Sequence, residues 1–111
     1  MSTERDEPIF VISVAARMIG VHAQTLRYYE RAGLIAPSRS EGNRRYYSQD
    51  DLERLRHIKA LIDDMGVNLA GAEIALRLME RVQELELELQ DLRQQVQRLA
   101  VRTPPVLGDG R

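Results

Sequence analysis

A mainly α-helical fold is predicted, a winged helix-turn-helix domain followed by one long dimerisation helix, and three observations predict it. Two short amphipathic stretches flank Gly20, and the second is closed by Gly33. A turn-rich basic-aromatic stretch follows Pro37. From Leu78 to Leu99, leucine and valine recur in alternating steps of four and three, the spacing of a coiled-coil seam.

Taken in order, residues 1–8 are acidic and polar and are expected to be disordered. Residues 9–12, Ile-Phe-Val-Ile, read as a brief strand entering the domain. Ser13 is expected to cap a first helix reaching about Ile19, with Val14, Ala15, Met18 and Ile19 as its apolar stripe and Gly20 as its stop. Val21 and His22 make the turn, and residues 23–32 form the second helix. On that helix Leu26 faces inward. Gln24, Arg27, Tyr28 and Arg31 fall on the other side at i, i+3, i+4 and i+7, the stripe a major-groove helix needs.

Residues 37–48 read as a two-stranded wing, with Ser40-Glu41-Gly42-Asn43 as turn residues that tolerate positive φ and 44–47 as the returning strand. Ser48 opens a third helix in the pattern Ser-x-x-Asp, a near capping box. Leu52, Leu55, Ile58, Leu61, Ile62 and Met65 form its expected core stripe, and Gly66 ends it. Asn68 is expected to cap a short fourth helix over about 69–79, whose start Gly71 weakens. The domain therefore spans 9–78, the coiled-coil helix 79–102, and a flexible tail 103–111 begins at Thr103-Pro104-Pro105.

In heptad terms Val82, Leu89 and Val96 take position a, and Leu78, Leu85, Leu92 and Leu99 take position d. A β-branched a with Leu at d favours two strands. The alternative, a helix packed back on its own domain, is disfavoured because the seam is longer than so small a core covers.

Composition narrows the function. No apolar run approaches membrane-spanning length, and no apolar leader core is present, so a cytoplasmic, nucleoid-associated protein is expected. There is no cysteine, which removes disulfides, thiolate metal sites and a Cys nucleophile. A formal net charge of −1 hides a division: residues 9–61 carry an excess of about four positive charges, and residues 62–111 an excess of about three negative ones. Two separated histidines, no Gly-rich phosphate loop and no converging carboxylates leave no constellation for an enzyme. Glu84, Glu86, Glu88 and Asp91 read as a solvated coiled-coil flank. No cofactor and no metal are expected.

The basic-aromatic clusters carry the candidate site. All four tyrosines lie in Tyr28-Tyr29 and Tyr46-Tyr47, each pair beside arginine. Guanidinium groups pair with phosphates or guanine edges, and a phenol donates to phosphate oxygen. The DNA-binding set is Arg17, His22, Gln24, Thr25, Arg27, Tyr28, Tyr29, Arg39, Asn43, Arg44 and Arg45. Within it Tyr29 is divided between packing and phosphate contact, and His22 between DNA approach and capping. Tyr47 is expected to pack the wing on the core.

These residues resemble the MerR superfamily of bacterial transcription regulators. Thr25-Leu26-Arg27-Tyr28-Tyr29-Glu30, Gly33-Leu34, Pro37, Arg39, Gly42, Arg45, Tyr47-Ser48 and Asp51-Leu52 match its pattern in order. A narrower resemblance is to the HspR heat-shock repressors, through Ile12-Ser13-Val14-Ala15-Ala16, His22-Ala23-Gln24-Thr25-Leu26-Arg27 and Gly66-Val67-Asn68-Leu69-Ala70-Gly71, while the doubled tyrosine follows the broader family. The resemblance implies a homodimer joined by an antiparallel coiled coil, an inverted-repeat operator, repression of chaperone genes and the chaperone DnaK as co-repressor. The residues alone leave strand direction open, since Arg81-Glu86 and Glu88-Arg93 would be attractive in a parallel pair. The alternative function is a promoter-distorting activator answering a small molecule or a redox signal. It is disfavoured by the absent cysteines and by the short tail expected after the seam.

Overall fold

The computed structural model describes residues 3–102. Its elements are α1 (Thr3–Asp6), β1 (Phe10–Val11), α2 (Ile12–Ile19), α3 (Ala23–Arg31), β2 (Ser38–Arg39), β3 (Arg45–Tyr47), α4 (Gln49–Lys59), a π-helical turn (Ala60–Asp64) and α5 (Leu69–Arg102). The chain divides into two units, Met1–Leu76 and Arg77–Arg111.

In the first unit each helix of the helix-turn-helix is followed by left-handed backbone. Gly20, at φ 88°, donates to the Ala16 carbonyl at 2.8 Å and ends α2. Gly33, at φ 81°, ends α3: its N–H reaches the Glu30 carbonyl and the Leu34 N–H reaches that of Tyr29, both at 3.0 Å. That pair of bonds satisfies two of the last carbonyls of α3 and turns the chain toward the wing.

The expected entry strand and wing are one sheet. β3 is its centre, pairing antiparallel with β1 (Phe10 opposite Tyr47, Val11 opposite Tyr46) and with β2 (Ser38 opposite Tyr46, Arg39 opposite Arg45). Ser48 then caps α4 in a complete capping box: its hydroxyl accepts from the Asp51 N–H at 3.0 Å, and its own N–H donates to the Asp51 carboxylate at 2.9 Å.

The core of this unit gathers Ala15, Ala16 and Ile19 of α2, Leu26 and Tyr29 of α3, Leu34 and Ile35 of the following loop, Tyr47 of β3, Leu52, Leu55 and Ile58 of α4, and Leu76 of α5. Tyr47 packs there as expected, fully buried. Burial pushes its phenol up to about 12, with the Glu30 charge acting in the same direction.

Five expectations need correction. The N-terminal segment holds a helical turn at Thr3–Asp6 in place of disorder, because Arg5 reaches Asp50 at 3.0 Å and Glu53 at 2.8 Å on α4. Ser13 is not the cap of α2: β1 runs straight into the helix, and Val11 takes the cap position without a side-chain capping bond. Met18 is 44% exposed and lies off the stripe. Met65 is 68% exposed, because the π-helical turn, closed by Met65 N–H to Ala60 carbonyl at 3.0 Å, holds one residue more per turn than an α-helix allows. That extra residue moves Met65 off the face of Leu52, Leu55 and Ile58.

The fifth correction concerns the helices after Asn68. Its carboxamide oxygen accepts from the Gly71 N–H at 2.8 Å, so the expected cap is present. The expected fourth and fifth helices, however, are one helix of 34 residues. Nothing between Arg77 and Val82 breaks it, since Leu, Met, Glu and Arg are all good helix formers.

In the second unit the seven seam residues are all open: Leu85 is 46% exposed and Val96 65%, with the other five between. Arg81 bonds Glu84 at 3.0 Å within the helix, and Gln95 donates to Asp91 at 2.7 Å. The proline break and the tail at 103–111 lie outside the described residues, as do Met1 and Ser2.

Candidate nucleic-acid interface

The outer stripe follows from the phase of α3. Leu26 and Tyr29 are buried, so the opposite side of the helix presents Gln24, Arg27, Tyr28 and Arg31. Gln24, Tyr28 and Arg31 are exposed, and Arg27 is half-buried with Nη1 on the Gln24 carboxamide oxygen at 3.2 Å. Arg17 on α2 is exposed, and Thr25 is half-buried. His22 is exposed at the N-cap of α3, where its carbonyl accepts from Thr25 at 2.9 Å. Its imidazole makes no capping bond, so the capping role considered for that side chain falls away.

Of the two roles held open for Tyr29, the structure shows packing. Its ring is 1% exposed, 6.1 Å from the Tyr28 ring, and its hydroxyl has no hydrogen-bond partner among the described residues. Desolvation pushes its phenol up, helped by the charge of Asp63. Tyr28, 44% exposed, is the member of the pair that faces outward.

The wing turn forms as its residues predict. Asn43 sits at φ 62°, its N–H on the Ser40 carbonyl at 2.9 Å, and Ser40 returns a bond to the Arg44 carbonyl at 2.9 Å. The Arg44 side chain is exposed beside this turn. Arg39 and Arg45 behave differently: both are engaged by the protein's own oxygen atoms, Arg39 at the surface and Arg45 partly buried. Arg39 Nη2 lies 2.7 Å from Glu30 Oε2, and Arg45 Nε lies 2.5 Å from Glu30 Oε1. Arg39 Nη1 also meets the Asn43 carbonyl and carboxamide oxygens, each at 3.2 Å. Burial by itself would raise the Glu30 carboxyl, but the bonds from Arg45 and Arg39 outweigh it and hold its pKa below the ordinary value.

Two residues of this arrangement were not anticipated. Glu30 has a signal in the sequence, since it is the sole carboxylate between residues 9 and 40 and stands in an arginine-rich stretch. Arg54 has none. It reaches back from α4 to the Leu34 carbonyl at 2.6 Å and fixes the loop between α3 and the wing. Among the described residues no cluster of His, Asp and Glu is arranged to hold a metal, and no helix is long and apolar enough to cross a membrane.

Comparison with known proteins gives a consistent answer. Residues 10–79 match the model of the MerR HTH family regulatory proteins. A Streptomyces coelicolor protein assigned as the heat shock protein HspR is 46% identical over 87 residues, 78% of this chain and 58% of its own. The transcriptional regulator GlnR of Bacillus cereus is 38% identical over 80 residues, 72% of this chain and 61% of its own. The chain thus spans about three fifths of the length of these relatives. Among solved structures, the regulator PbrR691 of Ralstonia metallidurans in complex with lead(II) aligns with a TM-score of 0.60 at 25% identity, covering 82% of this chain and 83% of that one. HiNmlR, a MerR family regulator lacking the sensor domain and bound to promoter DNA, aligns at 0.55 and 22% identity over 84% and 86%, a likeness of fold alone.

Proposed function

This chain belongs to the MerR family of helix-turn-helix regulatory proteins, and on that premise we propose that it is a sequence-specific DNA-binding repressor of heat-shock genes, acting as a homodimer on an inverted-repeat operator. The observation that carries the DNA-binding reading is the division of α3: Leu26 and Tyr29 hold one side in the core, while Gln24, Arg27, Tyr28 and Arg31 face away from it. A helix anchored in this way can enter a major groove with guanidinium and carboxamide groups at base-edge distance. The Arg44 side of the wing turn meets the adjacent phosphates.

Homodimerisation is supported by the open seam, since seven leucine and valine side chains on one stripe are costly to leave in water. The regulon is supported by the 46% identity to HspR. DnaK as co-repressor rests on that same likeness, and residence in the cytoplasm on the nucleoid accompanies the DNA target. Selection of bound duplexes from a randomised pool tests the first layer: an inverted repeat should emerge. Deleting the gene should then raise chaperone transcripts at normal temperature, and unchanged transcripts would remove the heat-shock assignment. Purified DnaK should tighten binding to the selected duplex, and unchanged affinity would remove it as partner.

A further inference from the structure

We propose that Glu30 is a specificity-determining positioning residue, which turns two wing arginines away from duplex phosphate and onto the recognition helix. The proposal rests on the DNA-binding reading given above and deepens it.

Arg39 and Arg45 are register partners across the antiparallel pair β2–β3. Two like charges directly opposite on one sheet repel, so a pair of this kind needs an anion between its members or a second partner elsewhere. Glu30 supplies the anion from the last turn of α3, one carboxylate oxygen to each guanidinium, at 2.7 and 2.5 Å. All three side chains are mostly shielded, with exposures of 21% for Glu30, 35% for Arg39 and 25% for Arg45. An oxyanion clasped by two arginines is also the arrangement in which a backbone phosphate is held. Here the protein's own carboxylate occupies it. Arg39 is further tied by its second nitrogen to the Asn43 turn, so the whole wing is referred to α3 through one acidic group.

Two consequences follow. The wing is held at a fixed setting relative to α3, which favours the one sequence register both can read together. Two cations beside the recognition helix are also withheld from indiscriminate phosphate binding. Glu30 thereby lowers affinity for arbitrary duplex more than for the preferred site, which is discrimination against the wrong partner rather than attraction to the right one.

The test uses the full chain and two probes, a random-sequence duplex and a duplex selected by the wild-type protein from a randomised pool, each titrated at several salt concentrations. Glu30→Gln keeps the shape and removes the charge. It should bind the random duplex roughly 3- to 10-fold more tightly and steepen the salt dependence by about 0.9 to 1.8 in log–log slope, for one or two phosphates gained. The ratio of selected to random affinity should fall. The triple variant Glu30→Gln, Arg39→Gln, Arg45→Gln should lose that extra slope, which a loss of rigidity alone would not do. An unchanged random-duplex slope in a folded Glu30→Gln protein overturns the proposal while leaving the DNA-binding reading intact. Arg39→Gln in the otherwise wild-type chain gives an independent arm: its random-duplex slope should match the wild type. A slope flatter by about 0.9 would mean that Arg39 already meets a phosphate, and the proposal fails. A wild-type protein that binds neither duplex removes both readings together.

Discussion

Leucine has opposite fates in the two units of this chain. In the first unit Leu26, Leu34, Leu52, Leu55 and Leu76 are each 2% exposed or less. In the second, Leu85, Leu89, Leu92 and Leu99 are 46 to 60% exposed, although they sit in the same helix type and at regular spacing. The first unit meets its hydrophobic requirement within itself. The described part of the second is a stretch of helix with local pairs such as Arg81 with Glu84, each worth about 0.2 to 0.5 kcal/mol, which does not stabilise an apolar stripe in water. On the proposed homodimer, stability and assembly would rest on different stretches of sequence, and substitutions can separate them.

The strongest test of that separation is to place charge in the seam. Leu85→Asp with Leu92→Asp should convert a dimer to a monomer, since unpaired burial of each carboxylate costs several kcal/mol. Sedimentation reads the change, and the first unit should still unfold cooperatively. A dimer that persists would break the comparison at its root. Next comes the core: Leu55→Ala should destabilise the first unit by about 2 to 5 kcal/mol in denaturant titration. Leu85→Ala should instead act through protein concentration, as linkage to assembly requires.

Arg27→Ala sharpens the comparison in a third direction. It should cost about 1 to 3 kcal/mol in binding to the selected duplex, with sedimentation and unfolding unchanged. Ser48→Ala removes the hydroxyl half of the capping box and should lower first-unit stability by about 1 kcal/mol, read as an earlier thermal midpoint. The smallest effect is an acid one. The folded pKa of Glu30 lies below its ordinary 4.5, so its contribution is complete above that pH and is lost as pH falls through the folded value. Acid unfolding of Glu30→Gln should show a shallower slope in that window, and identical slopes would assign the acid limb to other carboxylates.

Most of the fold was legible because its signals are local. Gly33, the Ser48 to Asp51 box, the Asn43 turn and the Leu26 phase each act within a few residues of themselves, and each appears in the structure as read. What escaped depends on contacts distant in sequence or on a change of helical period. Arg5 meets Asp50 and Glu53 across more than forty residues, so composition alone read its segment as disordered. Met65 was misplaced because an i, i+3, i+4 count cannot foresee a π-helical turn. In the candidate site, the placement of Arg27 and Tyr28 on the outer side of α3 was readable from the stripe. The engagement of Arg39 and Arg45 was not, because the sequence shows two cations but not that Glu30 lies within reach of both.

The placement of the tyrosines has a spectroscopic consequence. The chain contains no tryptophan, four tyrosines and one phenylalanine, and every tyrosine lies in α3 or β3. Near-ultraviolet absorption, tyrosine emission and near-ultraviolet circular dichroism therefore originate almost wholly in the first unit, with Tyr29 and Tyr47 as probes of its interior. The 34-residue α5, by contrast, supplies about half of the α-helical residues behind the far-ultraviolet signal while contributing no tyrosine of its own. One unlabelled sample observed in two wavelength ranges thus separates the interior of the first unit, seen alone in the near ultraviolet, from all the helices together in the far ultraviolet.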